Sequence, residues 1–213
     1  MTPLRLAVLG LASLLTATAT AHETADHPDH KFEEGQHYTV LENIPPAEVP
    51  EGKTELIEFF WYGCPHCYRL EPLLKPWLEE RTDTVHVRLV PAIFSARWVV
   101  GARVYYTLEL MDRLDLHPVV FNLVHEQDRP LQSGEGIGRM LEIFGIDPEA
   151  FAETFRSQAV TDRLEEAREL PKTYDIDGVP ALAVDGRYRI TTRNATNYQM
   201  LLDIADFLIH EKP

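Results

Sequence analysis

The chain has 213 residues, two cysteines and a formal net charge of −14. That acidity argues against nucleic acid as a partner, because a phosphate backbone is held by clustered Lys and Arg. The length suits one domain, or one domain with an insertion.

The chain opens with Arg5, a short apolar stretch from Leu6 to Leu15, and small residues through Ala19 and Ala21. This is the pattern of a secretory signal peptide over residues 1–21, too short in its apolar part to span a bilayer. An exported protein is expected. Residues 22–37 are polar and without period, and read as a flexible leader. Its histidines, His22, His27, His30 and His37, are potential weak metal ligands.

Tyr38 to Leu41 reads as a short edge strand, followed by a loop marked by Pro45, Pro46 and Pro50. Thr54 to Tyr62 is rich in aromatic and aliphatic residues on both alternating faces, as expected of a central strand covered on both sides. A helix then begins at Cys64 and carries Cys67, Leu70, Leu74, Trp77 and Leu78 at helical spacing to about Arg81. Pro72 and Pro76 lie inside it and predict a kink. Val85 to Val90 is the next strand, with Val85, Val87 and Leu89 on its apolar face, parallel to the central one.

Residues 94–170 turn helical. Helices are expected over Trp98–Leu114, Pro118–Glu126, Gly134–Phe144, a segment capped by Asp147 with Pro148 in its first turn, and a charged, outward-facing Thr161–Leu170. The glycines at 134, 136 and 138 do not follow a strand, so a phosphate-binding loop is not expected. Strands return at Ala181–Val184 and Tyr188–Ile190 around Asp185-Gly186, a hairpin signal. Asn194-Ala195-Thr196 reads as a turn, and Asn197–Ile209 as a final amphipathic helix.

Cys64 and Cys67 stand at the junction of strand and helix. Unpaired N–H groups and the positive end of the helix dipole favour a thiolate at Cys64. A bridge across two intervening residues closes almost no loop, and a zinc site needs ligands that Cys64, His66 and Cys67 alone do not complete. Redox chemistry is therefore the leading reading, with a metal site and a structural bridge as alternatives.

The order of elements, together with Glu58-Phe59-Phe60, Cys64-Pro65-His66-Cys67-Tyr68 and Gly178-Val179-Pro180, resembles the DsbA family of periplasmic thiol–disulfide oxidases. The resemblance covers Tyr38 to Ile209. It implies an α/β protein with a thioredoxin fold and an inserted helical domain. Residues 38–93 and 171–213 would form the thioredoxin-like part and 94–170 the insert. It also implies a Cys64–Cys67 redox disulfide with no other cofactor and no metal, and a cis-proline, Pro180, that faces the sulfur beside Val179. The implied partners are reduced, unfolded exported proteins and a DsbB-like membrane reoxidase, in the periplasm. With only a short polar stretch before the first strand, a monomeric oxidase is expected rather than a dimeric isomerase. A reductase of the same fold and a periplasmic metal-binding protein remain the alternatives.

On this reading Cys64 is the attacked sulfur at an exposed helix start, and Cys67, on the apolar stripe, is the resolving thiol. Pro65 fits the first turn and His66 lowers the Cys64 pKa. Glu58 is a buried acid of raised pKa that accepts the Cys67 proton. Val179 and Pro180 hold substrate. One departure stands out. The family pattern carries a lysine on the strand after the first helix, where this chain has Thr84, with His86 and Arg88 further on. The basic partner of Glu58 and Glu71 is thus open.

Overall fold

In the computed structural model, which describes residues 31–45 and 49–211, strand β1 (Thr39–Val40) leads to β2 (Thr54–Phe60), helix α1 (Pro65–Glu79) and strand β3 (Val85–Pro91). Helices α2 (Val99–Leu110), α3 (His117–His125), α4 (Gly134–Leu141), α5 (Pro148–Arg156) and α6 (Gln158–Thr173) follow. Strands β4 (Ala181–Val184) and β5 (Tyr188–Thr191) and helix α7 (Tyr198–Glu211) complete the order. The signal segment 1–21 and leader residues 22–30 lie outside the described residues.

The sheet runs β1-β5-β4-β2-β3, with β2 parallel to β3 and the other neighbours antiparallel. Every residue of β2 is buried, and alternation sends Leu56, Glu58 and Phe60 to one face and Ile57 and Phe59 to the other. Leu56 packs with Leu70, Leu74 and Trp77 of α1 and Leu201 to Ile209 of α7. Phe60 packs with Cys67 and with residues of α2 and α3. Ile57 and Phe59 meet Tyr174 and Ile176 on the opposite side. This is the thioredoxin fold with helices inserted between β3 and β4.

Helix α1 continues through Pro72 and Pro76 as one element. Asp147 caps α5, accepting from Glu149 N at 3.0 Å. The glycines of α4 serve packing: a Cβ at Gly134 would sit 2.8 Å from the Phe155 ring, and one at Gly138 would sit 3.2 Å from the Pro148 backbone. Asp185 and Gly186 both adopt left-handed φ in the β4–β5 turn, and Asn197 caps α7 by accepting from Met200 N at 2.8 Å.

Three expectations change. The polar leader gives way to fold before residue 37, because Phe32 is 4% exposed and packs edge-on against Phe207 at 5.6 Å. Burying one such ring contributes about 1.5–3 kcal/mol, and a lone aromatic in a polar run has no period to reveal it. Helix α6 is not simply outward-facing: Val160, Leu164, Ala167 and Pro171 are buried at helical spacing beneath its charged face. Strand β3 is the sheet edge, and Val87 is 38% exposed in a groove of about 350 Å³ shared with Leu74, Leu78 and Leu114.

Candidate active site

Cys64 is the N-cap of α1, in extended conformation, with Pro65 in the first turn, where its missing N–H leaves no bond unmade. The residue is 7% exposed, so the helix start is more covered than its position suggested. The loop before β4 provides the cover: Cys64 Sγ lies 3.4 Å from Val179 O, and the Val179–Pro180 peptide bond is cis. The Cys64 thiol is lowered to about 6, first by a hydrogen bond from the Cys67 side chain and then by backbone N–H groups of Cys67 and His66 and the charge of His66, against the opposing effect of burial.

Cys67 stands one turn on, 1% exposed and packed with Phe60, Tyr62 and Phe121. Burial, followed by its contact with Cys64 and the Glu58 charge, holds its thiol well above the ordinary value. The two sulfurs thus have opposite tendencies. One favours thiolate and the other keeps its proton.

Glu58 lies on the same face of β2 as Phe60, 1% exposed. Burial, then repulsion from Glu71 and Cys64, pushes its carboxyl well up. Its Oε2 has no hydrogen-bond partner among the described residues. A buried carboxyl of raised pKa can keep a proton that an exposed one would lose. The nitrogen that faces Glu71 comes from α3 rather than β3. His117 Nε2 is 3.6 Å from Glu71 Oε2, and His117 Nδ1 is 2.8 Å from Tyr62 Oη. Arg88, the nearer candidate in sequence, turns instead to Glu166.

Further residues were not flagged by sequence. The Trp61 ring lies over Gly63, where a Cβ would fall 2.3 Å from it, so any side chain there would have to displace the ring. Trp61 stacks on Trp98 at 4.2 Å with a 4° interplanar angle, and Phe94 adjoins Trp98 at 5.0 Å. Phe94 remains 40% exposed, extending an apolar ledge from the residues next to Cys64. Trp98 was visible only as one member of a helical pattern. On the other side of Cys64, exposed His66 contacts Tyr198 and Arg69.

A buried thiol and an activated one, placed at a helix start on a thioredoxin fold, define a thiol–disulfide oxidoreductase. A DSBA-like thioredoxin domain matches residues 90–204. The thiol:disulfide interchange protein DsbA of Pseudomonas aeruginosa is 35% identical over 207 residues, covering 97% of this chain and 94% of its own length. That of Azotobacter vinelandii is also 35% identical, over 97% of this chain and 95% of its own. The crystal structure of Pseudomonas aeruginosa DsbA superposes with a TM-score of 0.78 at 37% identity, over 84% of this chain and 93% of that one. The DsbA structure from Xylella fastidiosa gives 0.78 at 28% identity, over 84% and 97%. The chain belongs to the DsbA family.

Proposed function

We propose that Cys64 and Cys67 form the redox pair of a dithiol oxidase that donates its disulfide to reduced, newly exported proteins. A substrate thiolate attacks Cys64 Sγ and forms a mixed disulfide as the Cys64–Cys67 bond breaks. Cys67 leaves with that electron pair and takes a proton. A second substrate thiolate then attacks the substrate sulfur of the mixed disulfide, and Cys64 departs as thiolate. Two electrons pass from the substrate dithiol to the enzyme.

The contrast between the two sulfurs carries this reading. Leaving groups of low pKa depart fastest, so the stabilised Cys64 thiolate favours release of oxidised substrate. Cys67 is a poor leaving group unless protonated, and the protonated Glu58 carboxyl supplies the proton. In reoxidation Glu58 accepts it back. His66 supports the Cys64 thiolate, Pro65 shapes the first turn, and Val179 with Pro180 receives the substrate backbone beside the sulfur.

Family membership supports substrate proteins and a DsbB-type reoxidase as partners, and the pair needs no other cofactor. Residues 1–21 would direct the chain to the periplasm, where it acts as a monomer without nucleic acid. In the division we propose, residues 38–93 with 171–213 carry the redox centre and 94–170 form the helical insert. The test is trapping. Cys67→Ser should accumulate mixed disulfides through Cys64 on non-reducing gels, whereas Cys64→Ser should accumulate none and lose oxidase activity. Equal behaviour of the two variants would overturn the assignment.

A further inference from the structure

The chain enters Cys64 through a tight turn. Cys64 N donates to Trp61 O at 2.9 Å, so Tyr62 and Gly63 are the central residues of a β-turn that ends on the N-cap of α1. Neither has a left-handed φ. Turns of types II, I′ and II′ all need one, which leaves type I. Types I and II differ by reversal of the central peptide, and a glycine in third place, as here, leaves that reversal open. The bond from Cys64 N to Trp61 O is common to both types, so it does not choose between them.

The choice is made by α3. His125, its last residue, places Nε2 2.8 Å from Tyr62 O. A carbonyl only accepts, so Nε2 carries the proton and donates. The imidazole is itself held. It stacks on the Tyr68 ring at 4.8 Å and 12°, and the Tyr68 hydroxyl reaches Glu126 at 2.9 Å and Asn122 at 3.1 Å.

Phe121 and His117, one and two turns back on the same face of α3, fix the rest of Tyr62. The Phe121 ring meets the Tyr62 ring edge-on at 4.9 Å, and His117 Nδ1 lies 2.8 Å from Tyr62 Oη. One helix face thus grips Tyr62 at its carbonyl, ring and hydroxyl. A reversed peptide would turn Tyr62 O away from His125 Nε2 and set the Gly63 N–H toward it, donor against donor.

We propose that His125 is a positioning residue for the thiol chemistry, pinning the Tyr62–Gly63 peptide in its type I orientation and so fixing the backbone that delivers Cys64 to the start of α1. This rests on the reading of Cys64 and Cys67 as the redox pair. In the oxidised protein the disulfide also ties Cys64 to α1, at Cys67. In the reduced protein, with both cysteines free, Cys64 is held without that tie. Loss of the pin therefore costs the reduced form more, and the disulfide becomes a weaker oxidant.

The experiment compares wild type with His125→Phe, which keeps a ring against Tyr68 but has no donor, and His125→Gln, whose side-chain amide restores an N–H. The nuclear Overhauser contact between Gly63 N–H and Tyr62 Hα, short in type II and long in type I, reads the peptide orientation in the reduced forms. Equilibration with glutathione reads the redox constant, and thermal unfolding checks that each variant folds. Wild type should lack the short contact. His125→Phe should gain it, with an equilibrium shifted about two- to tenfold toward weaker oxidation, the scale of one lost hydrogen bond. His125→Gln should return both toward wild type. A folded His125→Phe that keeps the type I pattern or the wild-type redox constant overturns the proposal, as does a His125→Gln no better than His125→Phe. Nitrogen-15 NMR of wild type tests it without a variant, since neutral His125 protonated on Nδ1 rather than Nε2 overturns it. Failure of Cys67→Ser to trap substrate would overturn the redox reading instead, and leaves the turn and tautomer signals unaffected.

Discussion

Acidification should shift the stability balance between the two redox forms by an amount set by Cys64. The folded thiol lies at about 6, whereas an unfolded cysteine titrates near about 8.5. A depressed folded pKa adds stability that is complete above the unfolded value and lost as pH falls through the folded one. Only the reduced protein has the thiolate. Its gain from this ionisation is about 0.1 kcal/mol at pH 5, about 1.4 at pH 7 and about 2.6 at pH 8. Cys67 takes back little: its folded thiol stays protonated, which costs about 0.2 kcal/mol at pH 8 as the unfolded thiol begins to ionise. The burial that dominates the Glu58 shift does not involve the sulfurs, so its contribution largely cancels between the two forms. Against this, closing a loop of about four residues favours the oxidised form by about 1.9 kcal/mol in the chain-entropy picture. The oxidised form should therefore be the more stable at pH 5, the two should cross between pH 7 and 8, and the difference should move by about 2.4 kcal/mol over that range. Urea unfolding of both forms at pH 5, 6, 7 and 8 measures it. A difference that stays flat, or moves toward the oxidised form as pH rises, would refute an ionised Cys64 in the reduced fold.

Glu58→Gln tests the buried acid. A carboxyl whose folded pKa is raised contributes its stability below the unfolded value near about 4.3 and loses it as pH rises toward the folded one. Oxidised Glu58→Gln should thus lack the decline above about pH 4 that wild type shows in denaturant midpoint; parallel pH profiles would contradict the burial cost assigned to Glu58. Asp147→Ala removes the cap of α5 and should lower stability by about 1 kcal/mol, read as a urea midpoint shift, with the glutathione equilibrium unchanged. A change in that equilibrium would show that α5 couples to the thiols.

Much of this architecture could be read from local pattern, and what could not has a physical cause. Cys67, Leu70, Leu74 and Trp77 announce one face of α1 by spacing alone, and Glu58 is conspicuous because it is flanked by Leu56 and Ile57 on one side and Phe59 and Phe60 on the other. Asp147-Pro148 and Asp185-Gly186 carry their own turn chemistry. His117 and Tyr198 do not. Each reaches the site through tertiary packing, from helices remote in sequence, and no local signal marks a histidine as the partner of Glu71 or a tyrosine as the partner of His66. Arg88 on β3 is likewise not the partner its place in the sequence suggests, since it is drawn to Glu166 on α6. In α6 the charges masked the stripe of Val160, Leu164 and Ala167. Along β3 alternation was a true signal of strand, but not of depth, because an edge strand is roofed on one side only in part.

The most direct test of the central claim is the equilibrium of the Cys64–Cys67 pair with reduced and oxidised glutathione at pH 7, followed by quantifying thiols after acid quench. A thiolate stabilised as strongly as that of Cys64 lowers the free energy of the reduced enzyme, so the disulfide should be a strong oxidant, reduced at glutathione ratios that leave ordinary structural disulfides intact. A pair that stays oxidised until the buffer is strongly reducing would contradict the account and point to a reductase on the same fold.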